Sequence, residues 1–123
     1  MTPALQKRIF ATAPTLYKRR KLPMTQTCMC WGIEPGDGWF DIIMDLSQTL
    51  EPYAISDGVR AEQVKEKFGV LCFYVSNYVE PVEALIDAAE DASSRTCEDC
   101  GEPGTLRTGG WMRTLCDGCE AKR

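Results

Sequence analysis

The sequence predicts an α+β protein: a small domain of three to four helices and a short sheet, carrying a C-terminal four-cysteine zinc ribbon or treble-clef-like module. Three observations carry that prediction. Two helical stripes of apolar residues flank a six-residue apolar run, VLCFYV, which reads as a buried central strand. Beyond them lie two CxxC pairs, Cys97/Cys100 and Cys116/Cys119, separated by fifteen residues in a chain without histidine. A C-x₂-C turn lets two thiolates reach one ion without backbone strain, and a structural zinc ion takes four tetrahedral ligands. With all four positions filled by sulfur, one structural Zn²⁺ would have no open site for water or substrate. Four reduced thiols, or two disulfides, are the alternative.

Along the chain, Thr2-Pro3 opens a short helix with Leu5 and Ile9 on one face, interrupted by Pro14. A second turn or helix, TLYKRRKL, runs to Pro23, and Thr25 to Asp37 is irregular because Gly32, Pro35 and Gly36 break any period. Asp37 is placed to cap a longer helix. There Trp39, Ile42, Ile43, Leu46 and Leu50 recur at helical spacing until Pro52. RAEQVKEKFG reads as a short amphipathic helix with Val64 and Phe68 inward and Gly69 as its left-handed terminator. In the strand that follows, Leu71, Phe73 and Val75 are core candidates. Pro81 opens a further helix whose Val82, Leu85, Ile86 and Ala89 face the core, with Glu83, Asp87, Glu90 and Asp91 outward. The zinc module then comprises a knuckle, CEDCG, strands near residues 104–107 and 111–115 joined through Gly109-Gly110, and the second pair, CDGC. The segments divide as 1–26, basic and helical; 27–94, the α+β core; and 95–123, the zinc-binding module.

Charge is strongly partitioned. The chain carries a formal net charge of -4, but residues 1–33 hold +6, residues 34–94 hold -10 and residues 95–123 sum to zero. A zinc tetrathiolate adds a further -2. Only the N-terminal segment offers the clustered basic footprint that tracking phosphates requires. No run approaches the roughly 18 apolar residues of a membrane span, so the expectation is a cytoplasmic protein without a membrane partner. An odd total of seven cysteines, with Cys28, Cys30 and Cys72 outside the paired motifs, fits a reducing compartment.

Several motifs occur in a fixed order: CMCWG, GDGWFDII, QVKEKFG followed by FYV, TCEDCGEPGTLR and GGWMRTLCDGC. Together, over residues 25–119, they resemble a widespread family of small uncharacterised proteins of bacteriophages and prophages. The resemblance implies a phage accessory protein at work in the cytoplasm of a bacterial host. Val70 and Cys72 depart from the pattern, since relatives usually carry a glycine or threonine and a basic residue there.

Other constellations compete for a role. Asp37, Asp41 and Asp45 sit at i, i+4 and i+8, where three carboxylates could hold Mg²⁺ for a metal-dependent enzyme, although acids in a first helical turn also complement the dipole. Cys28, Cys30 and Cys72 are a weak second metal or redox candidate. Trp111, beside a Gly-Gly turn with Arg107 and Arg113 near in sequence, reads either as an interface anchor or as a seal on the ribbon. The leading expectation is a non-enzymatic binder of a host protein or ribonucleoprotein. It would act as an anti-CRISPR-like inhibitor of host defence, through the acidic surface of Glu83, Asp87, Glu90 and Asp91. The alternative is nucleic-acid binding by the basic N-terminus with Arg107, Trp111 and Arg113.

Overall fold

Helix α1, Pro3–Thr12, places Ile9 at the core, and the chain then turns through Ala13, Leu16 and Tyr17, all buried. The computed structural model describes all of residues 1–123. Helix α2, Phe40–Asp57, is the longest element and buries Ile43, Leu46, Leu50 and Ala54 on one stripe. A hairpin of β1, Ala61–Lys67, and β2, Val70–Val75, follows, then α3, Val82–Ser93. The C-terminal part holds β3, Thr105–Arg107, β4, Arg113–Leu115, and α4, Asp117–Ala121. The architecture is therefore α+β, with four helices and two two-stranded antiparallel sheets. No helix is long and apolar enough to cross a membrane.

One core of nineteen buried residues gathers side chains from α1, α2, β1, β2, α3 and the loops between them. Of the residues predicted to face inward on α2, β2 and α3, all lie in it or pack against it. Ile42, Leu85 and Ala89 are only partly buried. The irregular segment contributes Met29 and Ile33, both fully buried.

Three local expectations are corrected. Residues 61–67 form a strand and not a helix. VLCFYV has backbone donors and acceptors that must be paired, and the adjacent segment pairs with them in register Val64↔Phe73 and Lys67↔Val70. Phe68 and Gly69, with φ of 53° and 82°, close the hairpin. Positive φ at both central residues is what a two-residue hairpin turn of matching twist requires. Gly69 is thus left-handed as expected but turns a hairpin, while Phe68 is exposed instead of inward. β2 is accordingly half of a hairpin, not the centre of a wider sheet.

Pro52 does not end α2, which continues to Asp57 and stops at Gly58, φ 73°. Pro52 and Gln48, whose carbonyl loses its helical partner, both lie on the exposed side, while Leu50 and Ala54 hold the opposite face in the core. Asp37, finally, does not cap α2. It begins a 3₁₀ turn, Asp37–Trp39, and its Oδ1 accepts a hydrogen bond of 2.8 Å from the Thr2 amide at the start of α1.

Both edges of the hairpin are covered, which removes the open ladder a two-stranded sheet would otherwise present. On the β2 side, α3 supplies acceptors: Leu71 N–H donates to Ser93 Oγ and Phe73 N–H to a Glu90 carboxylate oxygen, each at 2.9 Å. On the β1 side, Glu34 N–H donates to Val64 O at 3.1 Å, beside a parallel bridge between Ile33 and Val64. Glu51 ties the N-terminal turn to α2 by accepting from the amides of Thr15 and Leu16.

Candidate metal centre

Each CxxC pair is shaped by its own local geometry. In the first, Cys97 N–H donates to Glu102 O at 2.7 Å, and Gly101 N–H returns to Cys97 O at 2.9 Å. Gly101, at φ 84°, supplies the left-handed residue this tight knuckle needs. In the second, Cys116 is the N-cap of α4, and its Sγ accepts from Cys119 N–H at 3.4 Å. A knuckle, a hairpin and a helix carrying the second ligand pair is the order of a treble clef.

The four Sγ atoms lie within 4.8 Å of one another, with Cys100 and Cys116 at 3.6 Å. A tetrahedron of thiolates with metal–sulfur bonds of about 2.3 Å has edges of about 3.8 Å, so these sulfurs already stand near ligand positions. Their proton affinities are split by the cluster. Burial raises the Cys97 thiol, but the amides of Cys116, Cys100 and Asp99 outweigh it and bring it down to about 7. The sulfurs of Cys116 and Cys97 push Cys119 up to about 12. Four sulfurs this close cannot all ionise without a cation between them, so the donor set fits a structural metal.

The knuckle is seated on the GDGW segment with backbone against backbone. Gly38 N–H donates to Glu98 O at 2.7 Å, Gly36 N–H to Glu98 Oε2 at 3.0 Å, and the Trp39 indole N–H to Thr96 O at 2.8 Å. A Cβ at Gly38 would stand 2.2 Å from Cys97 O, and one at Gly36 2.7 Å from Glu98 O. A second seam joins the two hairpins: Thr114 Oγ1 donates to Gly69 O at 2.7 Å, and a Cβ on Gly69 would meet Leu106 Cδ1 at 2.6 Å. Gly38→Ala is therefore expected to cost about 1–3 kcal/mol by overpacking. It should also weaken metal affinity roughly tenfold by displacing the knuckle. Gly109→Ala, where nothing lies within 4 Å, is the control and should do neither. A chelator competition that fails to separate the two variants contradicts this reading.

The remaining candidates are distributed as follows. Asp41 and Asp45 are exposed on α2, Asp37 is engaged with α1, and no third ligand joins them; the cysteine quartet is the one group of potential metal ligands that converges. Cys28, Cys30 and Cys72 do not meet. Arg107 donates to Leu115 O and pairs with Asp117 at 2.8 Å, while Arg113 grips Asp99 at 2.6 Å and lies 3.4 Å from Glu98. At that distance and alignment Glu98 Oε1 gains charge compensation without a hydrogen bond. Both arginines thus brace the four-cysteine module. Trp111 is three-quarters exposed and seals nothing.

On α3, Glu83 and Asp87 are exposed, and Asp91 pairs with Arg95 at 2.7 Å. Glu90 is turned toward β2. Burial raises its carboxyl above the ordinary range, partly countered by the Phe73 amide, and Asp87 adds to the rise. The glycine socket was not anticipated from the sequence; the GDG triplet before Trp39 is the signal that could have revealed it. Comparison of the chain with protein-family models, with curated proteins and with solved structures gives no match in any of the three.

Proposed function

We propose that this chain is a non-enzymatic accessory protein of the phage type, holding one structural zinc ion and acting in the host cytoplasm by binding a host protein or ribonucleoprotein. In this reading it inhibits host defence in the anti-CRISPR manner. The acidic face of α3 occupies a surface that normally receives nucleic acid. The observation that carries the proposal is the distribution of unpaired charge. Glu80, Glu83 and Asp87 line a shallow groove of about 580 Å³ with Tyr78, and no cation pairs with any of the three. Of the basic residues that a nucleic-acid site would draw on, Arg107 and Arg113 are held by Asp117 and Asp99, and in the basic N-terminal segment Arg8 and Arg20 lie over the rings of Phe40 and Phe10.

Reversing Glu83, Asp87 and Asp91 to lysine tests it. The ion pair lost with Asp91 is exposed and worth at most about 1 kcal/mol, so fold and metal content should persist. A partner captured by the wild-type chain from host lysate after nuclease treatment should no longer be captured. Capture that survives the reversal, or that disappears once nucleic acid is digested, is the opposing result.

A further inference from the structure

The sheet formed by β1 and β2 buries one face and leaves the other open. Gln63, Lys65 and Lys67 on β1 stand opposite Tyr74, Cys72 and Val70 on β2. At the end of this face, the turn between the strands meets the loop between β3 and β4. Phe68, Trp111 and Met112 line a cleft of about 370 Å³ there with Lys65 and Lys67. Phe68 is 66% exposed and Trp111 75%, so neither ring contributes much to the core.

Phe68 also sits at φ 53°, in the left-handed region that a turn of this kind normally fills with asparagine, aspartate or glycine. Folding gives this bulky, conformationally disfavoured and exposed ring only a weak contact with Lys67, whose Nζ lies 5.8 Å from the ring centroid, and strain of this sort accompanies recognition sites. The two rings share a cleft because Thr114 and Leu106 clamp Gly69, so the surface depends on the metal-organised hairpin.

The geometry points to this cleft as a docking site for an extended protein segment that inserts a bulky apolar side chain between Phe68 and Trp111 and sets carboxylates beside Lys65 and Lys67. The inference rests on the reading of the chain as a binding protein and adds a second contact surface, separate from α3. Exposed aromatic anchors are the side chains that carry interface energy. The rim carries a net charge of +1: Lys65 and Lys67 enter no ion pair, while Glu66, which also lines the cleft, is turned to accept from Gly69 N–H at 2.6 Å. Two lysines in a chain of net charge -4 are too few to track a phosphate backbone, which favours a protein over a nucleic acid.

The test is selection of a display library of random short peptides on the metal-loaded full chain, followed by binding to variants. Enriched peptides should combine a large apolar residue with aspartate or glutamate. Their affinity should fall at least about tenfold in Trp111→Ser and in Phe68→Asn. Because asparagine suits the turn, Phe68→Asn should melt no lower than the wild type, which separates recognition from folding. Lys65→Glu with Lys67→Glu should turn the preference toward basic peptides, and chelation should abolish binding. Absence of enrichment, or enriched peptides that bind all these variants normally, overturns the inference. So does an oligothymidylate that quenches Trp111 and displaces the peptides, which would make the face a nucleic-acid platform. Peptides lost on reversal of Glu83, Asp87 and Asp91 but kept by Phe68→Asn would sink this site and leave the acidic reading standing.

Discussion

Removing the metal, by chelation or by Cys97→Ser, is expected to abolish the cooperative fold of the whole chain, not of its C-terminal module alone. The reason lies in how the knuckle is built into the core. Trp39, fully buried, donates its indole N–H to Thr96, next to the first ligand. Gly36 and Gly38 are bonded to Glu98 inside the first CxxC, and Glu98 N–H reaches Thr114 O in β4 at 3.0 Å. If the sulfurs lose their common cation, Cys97 is left as a buried group among competing thiols. The backbone socket beneath it then loses its partner. Structural zinc in small domains contributes roughly 10–16 kcal/mol of apparent binding free energy at neutral pH. A domain of this size has about 5–15 kcal/mol of net stability, so the loss is comparable to the whole margin. Elemental analysis should find one zinc per chain, lost in Cys97→Ser. Removal should shift the emission of Trp39 together with the far-ultraviolet signal of the helices. An unchanged melting transition in metal-free protein, or purified reduced protein without metal, contradicts the expectation.

The longer helices and the convergence of the four cysteines were legible because their signals are local. Trp39 to Leu50 and Val82 to Ala89 repeat at helical spacing, and C-x₂-C spacing encodes ligand geometry directly. What failed was local preference overruled by pairing. AEQVKEK carries good helix formers, yet VLCFYV could not remain a lone strand, and its neighbour was the nearest segment able to satisfy it. Phe68 concealed the turn, since an aromatic residue is not a turn signal. Pro52 misled for the opposite reason: its cost falls on the solvent side of α2, where water can serve the freed carbonyl. The functions of Asp37, Gly36 and Gly38 were out of reach, because each acts on a segment distant in sequence: Asp37 on Thr2, the glycines on the knuckle.

Phe73→Ala is expected to cost about 3–5 kcal/mol, the range for deleting a fully buried aromatic side chain. The ring is 1% exposed and meets Tyr17 edge-to-face with centroids 6.4 Å apart; Tyr17 in turn meets Phe10 at 5.2 Å and bonds Ser47 at 2.6 Å. Val64 stands directly across the hairpin from it. A two-stranded sheet has little stability of its own and exists by virtue of the face it buries, so a cavity at Phe73 loosens β1, β2 and the N-terminal turn together. Losing β2 also frees Leu71 and Phe73 amides from Ser93 and Glu90, which detaches α3. Tyr74→Ala, one residue along the same strand but on the open face, should change stability by about 0.5 kcal/mol or less. Chemical denaturation of the two metal-loaded variants would measure the contrast. Equal midpoints would mean that the register Val64↔Phe73, and with it the assignment of the buried face, is wrong.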